Sequence, residues 1–556
     1  MEAVGNLRAE EILEALDNEQ RAVALATRGP VCVIAGAGTG KTRAITHRIA
    51  YAAAIGTMDP HKVLALTFTA RAAGEMRTRL RSLGVPAVAA RTIHAAALKQ
   101  LTFFWPQVFG GRTPDLLTTK SGFLTEAIKR AQLQGELSIS SRDLLRDIAT
   151  EIEWAKVSQI SPSDYLSESL KRTVKPRINP EQLAKVYTAY ESVKHQERAI
   201  DFEDVLLLTT AMIEEEREVR ERVQDQYRFF TVDEYQDISP LQQALLETWL
   251  GQRHELCVVG DPRQTIYTFA GARSDFLTDF QSRYSDAQVF ELNKNYRSSQ
   301  EIVALANRVS LASPLVPMRA VSSVPTFTPY KNAQAEAQAV GQRIIESISE
   351  GTAPRQIAVL ARTNSQLEEI EQQLKKSGVD YQVRGSGRFF RKPEVAMALG
   401  AIRAMQSGEL SDPLFVDVSK IVTALGWQSN GEKNEKWQAL NWFLEVLEDI
   451  DAAGLDEYLR ELDERERSGH EPVREAVMLA TVHGTKGLEF DTVFLIGLNQ
   501  GYFPIGYAKT DSEIAEEQRL FYVAITRAKN FLQVSYRLDK PASEFIQRFG
   551  SRSQSN

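Results

Sequence analysis

Two kinds of apolar pattern alternate along the chain. Short runs rich in β-branched residues, typical of buried strands, lead into polar or glycine-rich turns and then into stretches with apolar positions at helical spacing. Such runs begin the segments VCVIAGAGTGKT, VLALTFT, FFTVDEYQDIS, LCVVGDPRQTIYTFAGA, AQVFELNKNYRSS and IAVLARTNSQ, and two of them flank the polar loop in AVMLATVHGTKGLEFDTVFLIGL. Because parallel strands need helical crossovers, the pattern predicts an α/β fold with doubly wound parallel sheets. In such sheets, ligands gather at the C-terminal ends of the strands.

Two long helical stretches interrupt this alternation. From about 98 to 199 the sequence shows long helical periodicities with charged faces, as in LTEAIKRAQLQ. A second, less regular stretch from about 396 to 476 contains the acidic segment DEYLRELDERERSGHEP, which predicts an exposed helix face and a linker. The strand pattern resumes after each stretch, so we interpret both as helical insertions.

A glycine-rich turn joins the first strand-like run to the helix after it, in the segment VCVIAGAGTGKT at 31–42. Glycines let consecutive backbone N–H groups curl around a polyphosphate, and the N-terminus of the next helix adds a favourable dipole. In such a phosphate loop Lys41 would reach the β- and γ-phosphates of a nucleotide, and Thr42 would ligate Mg²⁺. Ala35 stands where the strict pattern has its first glycine. The alternative is a turn that carries Gly-Lys-Thr by chance.

Later strand-like runs also end in polar residues. FFTVDEYQD presents Asp233 and Glu234 side by side, and adjacent acids at a strand end suit metal and water handling because they need a cation. LCVVGDPRQ ends in a turn with Asp261 and Gln264. The parallel topology predicts that these side chains meet Lys41 at one edge of the sheet.

Gln20 and His94 each leave two interpretations open. Gln20 lies in a predicted helix with Asn18 as its N-cap, and its amide can read an adenine edge by donating and accepting at once. The alternative is an ordinary surface glutamine. His94 falls at a predicted strand end, where a lone histidine is more often structural than functional.

Length and composition limit the class of protein. At 556 residues the chain is too long for one core and predicts about three or four domains. Hydrophobic residues make up 43% and charged residues 25% of the chain, and no apolar run approaches the roughly 18 residues of a membrane span. The acidic, polar N-terminus is unlike a signal peptide. We therefore expect a cytoplasmic protein with no membrane partner.

Cysteine content and net charge narrow the expected partners. Cys32 and Cys257 both lie inside strand-like runs, which predicts buried free thiols and no zinc or iron-sulfur cluster. The formal net charge of −7 gives no global attraction to nucleic acid. It does not exclude nucleic acid, because a large motor can line one channel with cations while its outer surface stays acidic.

Seven motifs in order carry a family resemblance, namely AGAGTGKT, LTFTARAAGEM, VDEYQD, VGDPRQTIYTFAGA, NYRSS, TVHGTKGLEF and FYVAITRAK. From about Asn18 to Tyr536 the chain resembles superfamily 1 helicases of the UvrD/Rep/PcrA group, and the actinobacterial UvrD-like type looks closest. The resemblance implies two RecA-like P-loop domains with parallel sheets and a helical insertion in each. The expected subdomains are 1A at 1–95 and 200–288, 1B at 96–199, 2A at 289–395 and 477–556, and a reduced 2B at 396–476.

The resemblance also implies a site for ATP and Mg²⁺ between the two RecA-like cores. Lys41 and Thr42 would bind phosphate and Mg²⁺, and Asp233 would hold the metal through water. Glu234 would orient and deprotonate the attacking water, and Gln264 would sense the γ-phosphate. Together these residues would form the catalytic part of the site in the first core.

Further nucleotide contacts follow from the same resemblance. Arg297 and Arg527, from the second core, resemble arginine fingers that neutralise charge in phosphoryl transfer. Glu489 resembles a residue that contacts the ribose. The adenine-binding set would be Gln20, Arg43 and Tyr296. The remaining phosphate-loop positions would be Ala35, Gly36, Ala37, Gly38, Thr39 and Gly40.

On the DNA side, five residues match family positions that contact a single strand: Phe68, His94, Phe269, Arg362 and His483. Aromatic stacking suits this task because every base has a π-face, so binding needs no sequence preference. The alternative for Phe68 and Phe269 is packing in the core.

The resemblance implies an ATP-dependent 3′ to 5′ translocase or DNA helicase in repair or replication. Its expected partners are single-stranded DNA, junctions of single-stranded with duplex DNA, and repair or replication proteins. Three departures from the family pattern favour translocation over unaided unwinding: Phe269 and Ala270 stand where Trp and Arg are common, the 2B insertion is short, and the chain stops soon after VAITRAK. The alternatives are a translocase that strips proteins from DNA and needs a partner to unwind, and a nucleotide-gated DNA-binding protein that has lost catalysis. A nuclease would need a second acidic metal cluster after the helicase motifs.

Overall fold

The computed structural model describes residues 9–550, apart from 118, 138–140, 172–177, 311, 385–388, 406–410, 412–413, 432–433, 451–453, 468–470 and 473. Within this range the chain forms two compact units. The first comprises 9–34, Lys41–Phe68 and Glu75–Glu291, and the second comprises Ala35–Gly40, Thr69–Gly74 and 292–550.

A six-stranded sheet lies at the centre of the first unit. Its strands are β1 (Val31–Ala35), β2 (Val63–Thr67), β3 (Ala89–Thr92), β6 (Phe229–Val232), β7 (Leu256–Gly260) and β8 (Gln288–Leu292). Their order across the sheet is β3-β2-β6-β7-β1-β8. Strands β2 and β7 are buried along their whole length, as expected for parallel strands covered on both faces.

Helices connect these strands, and a short two-stranded sheet of β4 (Asp115–Leu116) and β5 (Ala199–Ile200) lies among them. The helices before β8 are α1 (Asn18–Leu25), α2 (Lys41–Ala54), α3 (Ala70–Ser82), α4 (Ile93–Val108), α5 (Ser121–Arg130), α6 (Arg142–Val157), α7 (Tyr165–Lys171), α8 (Pro180–Gln196), α9 (Phe202–Glu215), α10 (Arg217–Gln226), α11 (Pro240–Leu250), α12 (Asp275–Thr278) and α13 (Phe280–Arg283).

Local chemistry fixes where several of these helices begin. Asp17 is the N-cap of α1, and its carboxylate accepts hydrogen bonds from the backbone N–H groups of Glu19 and Gln20. The prediction of Asn18 as the cap was therefore wrong. Asp and Asn cap helices equally well, so the backbone conformation of Asp17, which is extended, decides between the two neighbours.

The second unit contains another six-stranded parallel sheet and the short pair β9 (Lys294–Asn295) and β10 (Val316–Pro317). Its strands are β11 (Thr326–Tyr330), β12 (Ile357–Ala361), β13 (Tyr381–Val383), β14 (Val477–Thr481), β15 (Phe490–Leu495) and β16 (Ala528–Arg537). They are arranged in the order β11-β16-β15-β12-β14-β13, and every adjacent pair is parallel. The helices are α14 (Gln300–Val309), α15 (Ala333–Ser349), α16 (Glu368–Lys376), α17 (Pro393–Ala404), α18 (Phe415–Ala424), α19 (Glu435–Ile450), α20 (Leu455–Arg467), α21 (Asp511–Ile525) and α22 (Glu544–Phe549).

Each helical stretch has its own core. In the first unit, α5 to α8 pack around a cluster that includes Ile152, Tyr187 and Tyr190. The sheet core is separate, and in it the Phe230 and Trp249 rings stack with centroids 6.4 Å apart. In the second unit, α17 to α20 enclose a further cluster. The predicted fold class, two parallel α/β domains with helical insertions, is confirmed, whereas the four subdomain boundaries stay predictions.

The structure bears on two predictions, the burial of the two cysteines and the lack of a membrane-spanning segment. Cys32 and Cys257 are buried free thiols, as predicted, and burial, with Cys257 close by, raises the pKa of the Cys32 thiol to about 12. In the described part of the chain, none of the helices combines the length and the apolar character that a bilayer crossing requires.

Candidate functional site

The phosphate loop begins where β1 ends and is followed directly by α2. Gly38 and Gly40 have φ angles of +69° and +80°, a region that L side chains rarely adopt. A Cβ atom on Gly38 would lie 2.7 Å from both Arg297 Cβ and Asn295 Nδ2. The Asn295 side chain also donates from Nδ2 to the carbonyl of Ala37 over 2.6 Å. Glycine is therefore required at position 38 on two grounds, backbone conformation and space.

The residues at the start of α2 lie beside the acidic pair that follows β6. The Thr42 hydroxyl donates to Asp233 Oδ2 over 3.0 Å, and the ammonium of Lys41 is 3.9 Å from Glu234 Oε1. The structure thus brings together the first two of the three predicted strand ends. It also places Glu234 in the left-handed region, with φ +55° and ψ +38°. Such a conformation is costly for a residue other than glycine and is often found at functional sites.

Asp233 is buried and carries an electrostatic penalty. Burial first, and then repulsion from Glu234, raise its pKa from the ordinary value to about 6, although Lys41 and the Thr42 hydroxyl oppose the shift. A divalent cation would remove this penalty. A carboxylate and a hydroxyl are the hard oxygen donors that Mg²⁺ prefers, so Asp233 and Thr42 fit the metal that was expected.

A chain of hydrogen bonds links Glu234 to the third predicted strand end. Gln236 donates from Nε2 to Glu234 Oε2 over 2.6 Å, and its Oε1 accepts from the backbone N–H of Asp261 over 3.0 Å. Gln264 in turn donates to Asp261 Oδ2 over 2.9 Å. Gln236 is fully buried, and a Cβ atom on Gly260 would lie only 2.4 Å from its Oε1. Gln236 was not predicted as a site residue, although its place two residues after Glu234 was a usable signal.

Two of the predicted adenine-binding residues lie in the first unit. Gln20 is buried in α1, and Arg43 in α2 donates through Nη2 to the carbonyl of Ala15. Tyr296 belongs to the second unit and exposes 42% of its surface. The prediction of an adenine site from these three residues stays a prediction.

Arg297 and Glu489 form an ion pair in the second unit. Arg297 Nε lies 2.6 Å from Glu489 Oε2, and its Nη1 donates to the carbonyl of Thr526 over 3.2 Å. Lys529 Nζ lies 2.9 Å from the other carboxylate oxygen of Glu489. Burial alone would raise the pKa of Glu489, but Arg297 and Lys529 outweigh it and hold that pKa below its ordinary value. Glu489 is therefore an ionised residue with a cation on each oxygen.

Arg527 lies in the same unit and is almost entirely buried, with 1% exposed. Its guanidinium donates to the carbonyls of Val523 and Leu488, each over 3.0 Å. Both acceptors are backbone oxygens: Val523 lies in the last turn of α21, and Leu488 lies two residues before β15.

An aromatic row lies on the first unit, made of Phe68, Tyr267 and Phe269. The Phe68 and Tyr267 rings stack with centroids 5.3 Å apart and planes 20° apart, and the Tyr267 and Phe269 centroids are 6.2 Å apart. Phe68 is 41% and Phe269 45% exposed. The alternative that these two rings pack in the core is therefore wrong. Tyr267 was not predicted, although it lies in the same turn as Phe269.

The remaining predicted DNA-binding residues are less exposed. His94 lies in the first turn of α4, two residues beyond the end of β3, and its ring meets Phe202 edge-on at 6.1 Å. In the second unit, burial, followed by the positive charges of Arg362 and Lys486, lowers the pKa of His483 to about 3. At neutral pH His483 is therefore uncharged. Arg362, which follows β12, is paired with Glu517 on α21.

The sequence matches two families of known domains. The UvrD/REP helicase N-terminal domain matches residues 16–285, and the UvrD-like helicase C-terminal domain matches 290–411 and 413–539. This chain belongs to the UvrD/REP helicase family, which confirms the resemblance found in its motifs and the expectation that it is an enzyme of the helicase class.

Individual relatives agree with this assignment. The chain is 42% identical to ATP-dependent DNA helicase UvrD2 of Mycobacterium tuberculosis (strain ATCC 25618 / H37Rv), over 96% of its own length and 80% of the relative's. It is 28% identical to ATP-dependent DNA helicase PcrA of Leuconostoc citreum, over 94% and 82% of the two chains. With PcrA of Staphylococcus aureus (strain NCTC 8325 / PS 47) the identity is 27%, over 97% and 86%. The higher identity to the mycobacterial protein agrees with the expected actinobacterial type.

Proposed function

We propose that this chain is an ATP-dependent DNA motor, which couples ATP hydrolysis to 3′ to 5′ movement along single-stranded DNA and opens duplexes at junctions. The observation that carries the proposal is the contact of Thr42 with Asp233, with Lys41 and Glu234 beside them, because this arrangement suits phosphoryl transfer. The names of the relatives above, ATP-dependent DNA helicases, give a second support. A role in repair or replication, partner proteins from those processes and a cytoplasmic location stay predictions.

In this proposal the first unit holds the phosphates and the attacking water. Lys41 donates to the β- and γ-phosphates, Thr42 would hold Mg²⁺ through its hydroxyl, and Asp233 would hold it through water. Bound Mg²⁺ would neutralise charge on the phosphate oxygens. Glu234 orients the water and accepts its proton on a carboxylate oxygen, while Gln264 contacts the γ-phosphate.

Residues of the second unit act on the same nucleotide in this proposal. Arg297 and Arg527 neutralise the charge that develops on the transferred phosphoryl group, as arginine fingers do. Glu489 contacts the ribose. Tyr296 contacts the adenine together with Gln20 and Arg43 of the first unit. ATP then stabilises one arrangement of the two units and hydrolysis releases it, which makes nucleotide turnover a source of movement.

The aromatic row is the proposed platform for DNA bases. Stacking on exposed rings contributes roughly 1 to 3 kcal/mol per base and tolerates any sequence, which suits a protein that moves along a strand. Arg362 would contact backbone phosphate. His94 and His483 would contact the strand by hydrogen bonds, in the case of His483 as a neutral ring.

The first test measures ATP hydrolysis with and without single-stranded DNA, for the wild-type chain and for Glu234→Gln. We expect DNA to stimulate the wild type, and the variant to lose about 100-fold or more in turnover while still binding ATP, because the base is lost. The control is Glu126→Gln on α5, which removes an exposed ion pair with Arg130. Wild-type turnover in Glu234→Gln would refute the assignment of the base, and DNA binding without any hydrolysis by the wild type would indicate a lapsed enzyme.

The second test determines direction and strand separation. Duplexes with a 3′ or a 5′ single-stranded tail are compared at one stated salt concentration, since phosphate contacts make binding salt-dependent. Unwinding of the 3′-tailed duplex alone is expected. A preference for the 5′ tail would contradict the proposed direction, and removal of streptavidin from biotinylated single strands without unwinding would indicate a translocase that needs a partner.

A further inference from the structure

Arg362 and Glu517 form a buried ion pair within the second unit. Arg362 Nε lies 3.0 Å and 3.1 Å from the two carboxylate oxygens of Glu517, and its Nη2 lies 2.8 Å from Oε1. The two side chains are only 12% and 6% exposed. Three donated hydrogen bonds between a planar guanidinium and a carboxylate make this a strong, directional contact.

Glu517 is also held by a contact that does not involve Arg362. The backbone N–H of Ile505 donates to Glu517 Oε2 over 3.1 Å. The hydroxyl of Tyr507, an exposed residue, lies 3.5 Å from Arg362 Nη2. The pair therefore presents a fixed carboxylate to an arginine that follows β12. Because the same N–H groups cannot point at a carboxylate and a phosphate at once, Glu517 and a DNA phosphate would compete for Arg362.

Glu517 also belongs to the helix that leads to Arg527. It lies on α21, which ends at Ile525, and Arg527 follows two residues later. At about 1.5 Å of rise per residue, the part of the helix from Glu517 to its end at Ile525 is one stiff element roughly 12 Å long. Arg527 bonds back to Val523 on the last turn of the same helix. A change in the partner of Glu517 therefore acts on the helix that leads into Arg527 and to which Arg527 is hydrogen-bonded.

We propose that Glu517 is a positioning residue that restrains Arg362 in the absence of DNA and connects this proposed DNA contact to the helix that leads into Arg527. When a DNA phosphate binds the guanidinium of Arg362, the buried carboxylate of Glu517 loses its partner. Helix α21, which carries Glu517, then shifts. DNA binding is thereby coupled to the placement of Arg527. This inference rests on the proposed function, because it assumes that the chain binds DNA and hydrolyses ATP.

The test compares wild type with Glu517→Gln in two assays. Fluorescence anisotropy with a labelled oligo-dT strand gives the Kd, and ATPase rates with and without that strand give the stimulation. Glutamine keeps an acceptor for Ile505 but loses the charge, so we expect the Kd to fall about tenfold and the stimulation ratio to drop because the DNA-free rate rises. A merely structural role would lower stability without tightening DNA binding.

Matched variants make the result specific. Glu475→Gln breaks an exposed ion pair with Arg355 in the same unit and is expected to leave both assays unchanged. In an Arg362→Gln background, Glu517→Gln should no longer tighten binding, because the competition has been removed. If Glu517→Gln does not fold, Glu517→Asp, which draws the carboxylate back by one methylene, should tighten binding about threefold for the same reason.

Two failures can be told apart. A Kd for Glu517→Gln that is unchanged or weaker, in a chain whose wild type binds DNA and hydrolyses ATP, overturns this inference alone. A wild-type chain that neither binds the strand nor hydrolyses ATP overturns the proposed function, and this inference with it.

Discussion

Gln236 is the residue on which the geometry of Glu234 most directly depends. Its amide joins the Glu234 carboxylate to the backbone at the start of the next turn, where Asp261 holds Gln264. Glu234 itself adopts a left-handed backbone conformation that needs support from its surroundings. Gln236 is thus a positioning residue for the proposed base.

We predict that Gln236→Leu lowers ATP turnover by about 10- to 100-fold while the Kd for ATP changes little, because a misplaced base affects the chemical step more than binding. Steady-state ATPase assays and a fluorescent nucleotide titration measure the two quantities. Gln342→Leu, an exposed position on α15, serves as the control. Equal loss of ATP binding and turnover would show that Gln236 supports the whole loop rather than the base.

At the scale of elements, a buried charge network joins the helices α6, α8 and α9. Lys156 Nζ lies 2.8 Å from Asp201 Oδ1, and Lys194 Nζ lies 2.9 Å from Asp201 Oδ2. Asp201 is also the N-cap of α9 and accepts a hydrogen bond from the Tyr190 hydroxyl. Burial opposes ionisation, but Lys156 and Lys194 outweigh it and hold the pKa of Asp201 well below its ordinary value. The network therefore ties the helical stretch to a helix of the sheet core.

We predict that Lys156→Met lowers the free energy of unfolding by about 3 kcal/mol at pH 7, because it leaves buried carboxylates with one cation fewer. Since the folded pKa of Asp201 is depressed, its contribution is complete above the unfolded pKa of about 3.9 and is lost as the pH falls towards the folded value. Urea unfolding followed by circular dichroism at pH 7 and at lower pH measures this.

The control for this variant is Lys171→Met, which breaks an exposed pair with Glu168. An exposed pair of this kind contributes well under about 1 kcal/mol. If both variants lose the same stability, the buried network does not stabilise the fold in the way described.

At the scale of the whole molecule, the proposed activity needs charges from both units. Arg297 and Arg527 both lie in the second unit, where Arg297 is paired with Glu489 and Arg527 is almost entirely buried. Removal of either arginine therefore tests whether the second unit takes part in hydrolysis.

We predict that Arg527→Ala lowers DNA-stimulated ATP turnover by about 1,000-fold, the loss typical of a missing arginine finger, while the Kd for single-stranded DNA stays within about twofold. Arg527→Lys keeps the positive charge but lacks the planar guanidinium with its several N–H donors, so it should recover part of the rate. Arg548→Ala, which is exposed on α22, is the control. Wild-type turnover in Arg527→Ala would mean that the first unit hydrolyses ATP unaided.

The local pattern of the sequence determined much of this protein. Alternating strand-like and helical runs predicted two parallel α/β sheets with helical insertions, because a strand buried on both faces leaves a continuous apolar run and a helix buried on one face leaves a helical periodicity. Ordered motifs predicted the helicase family and supplied candidates at three strand ends. Cys32 and Cys257 were correctly predicted as buried thiols from their neighbours alone.

Only the tertiary structure decided which distant side chains meet. It put Phe68 and Phe269 on the surface with Tyr267 between them, placed Gln236 against Glu234, and paired Arg362 with Glu517, 155 positions further along the chain. Even the choice of Asp17 over Asn18 as a cap depended on backbone conformation. The physical reason is that hydrophobic periodicity is a property of neighbours in sequence, whereas a specific contact depends on the path of the whole chain.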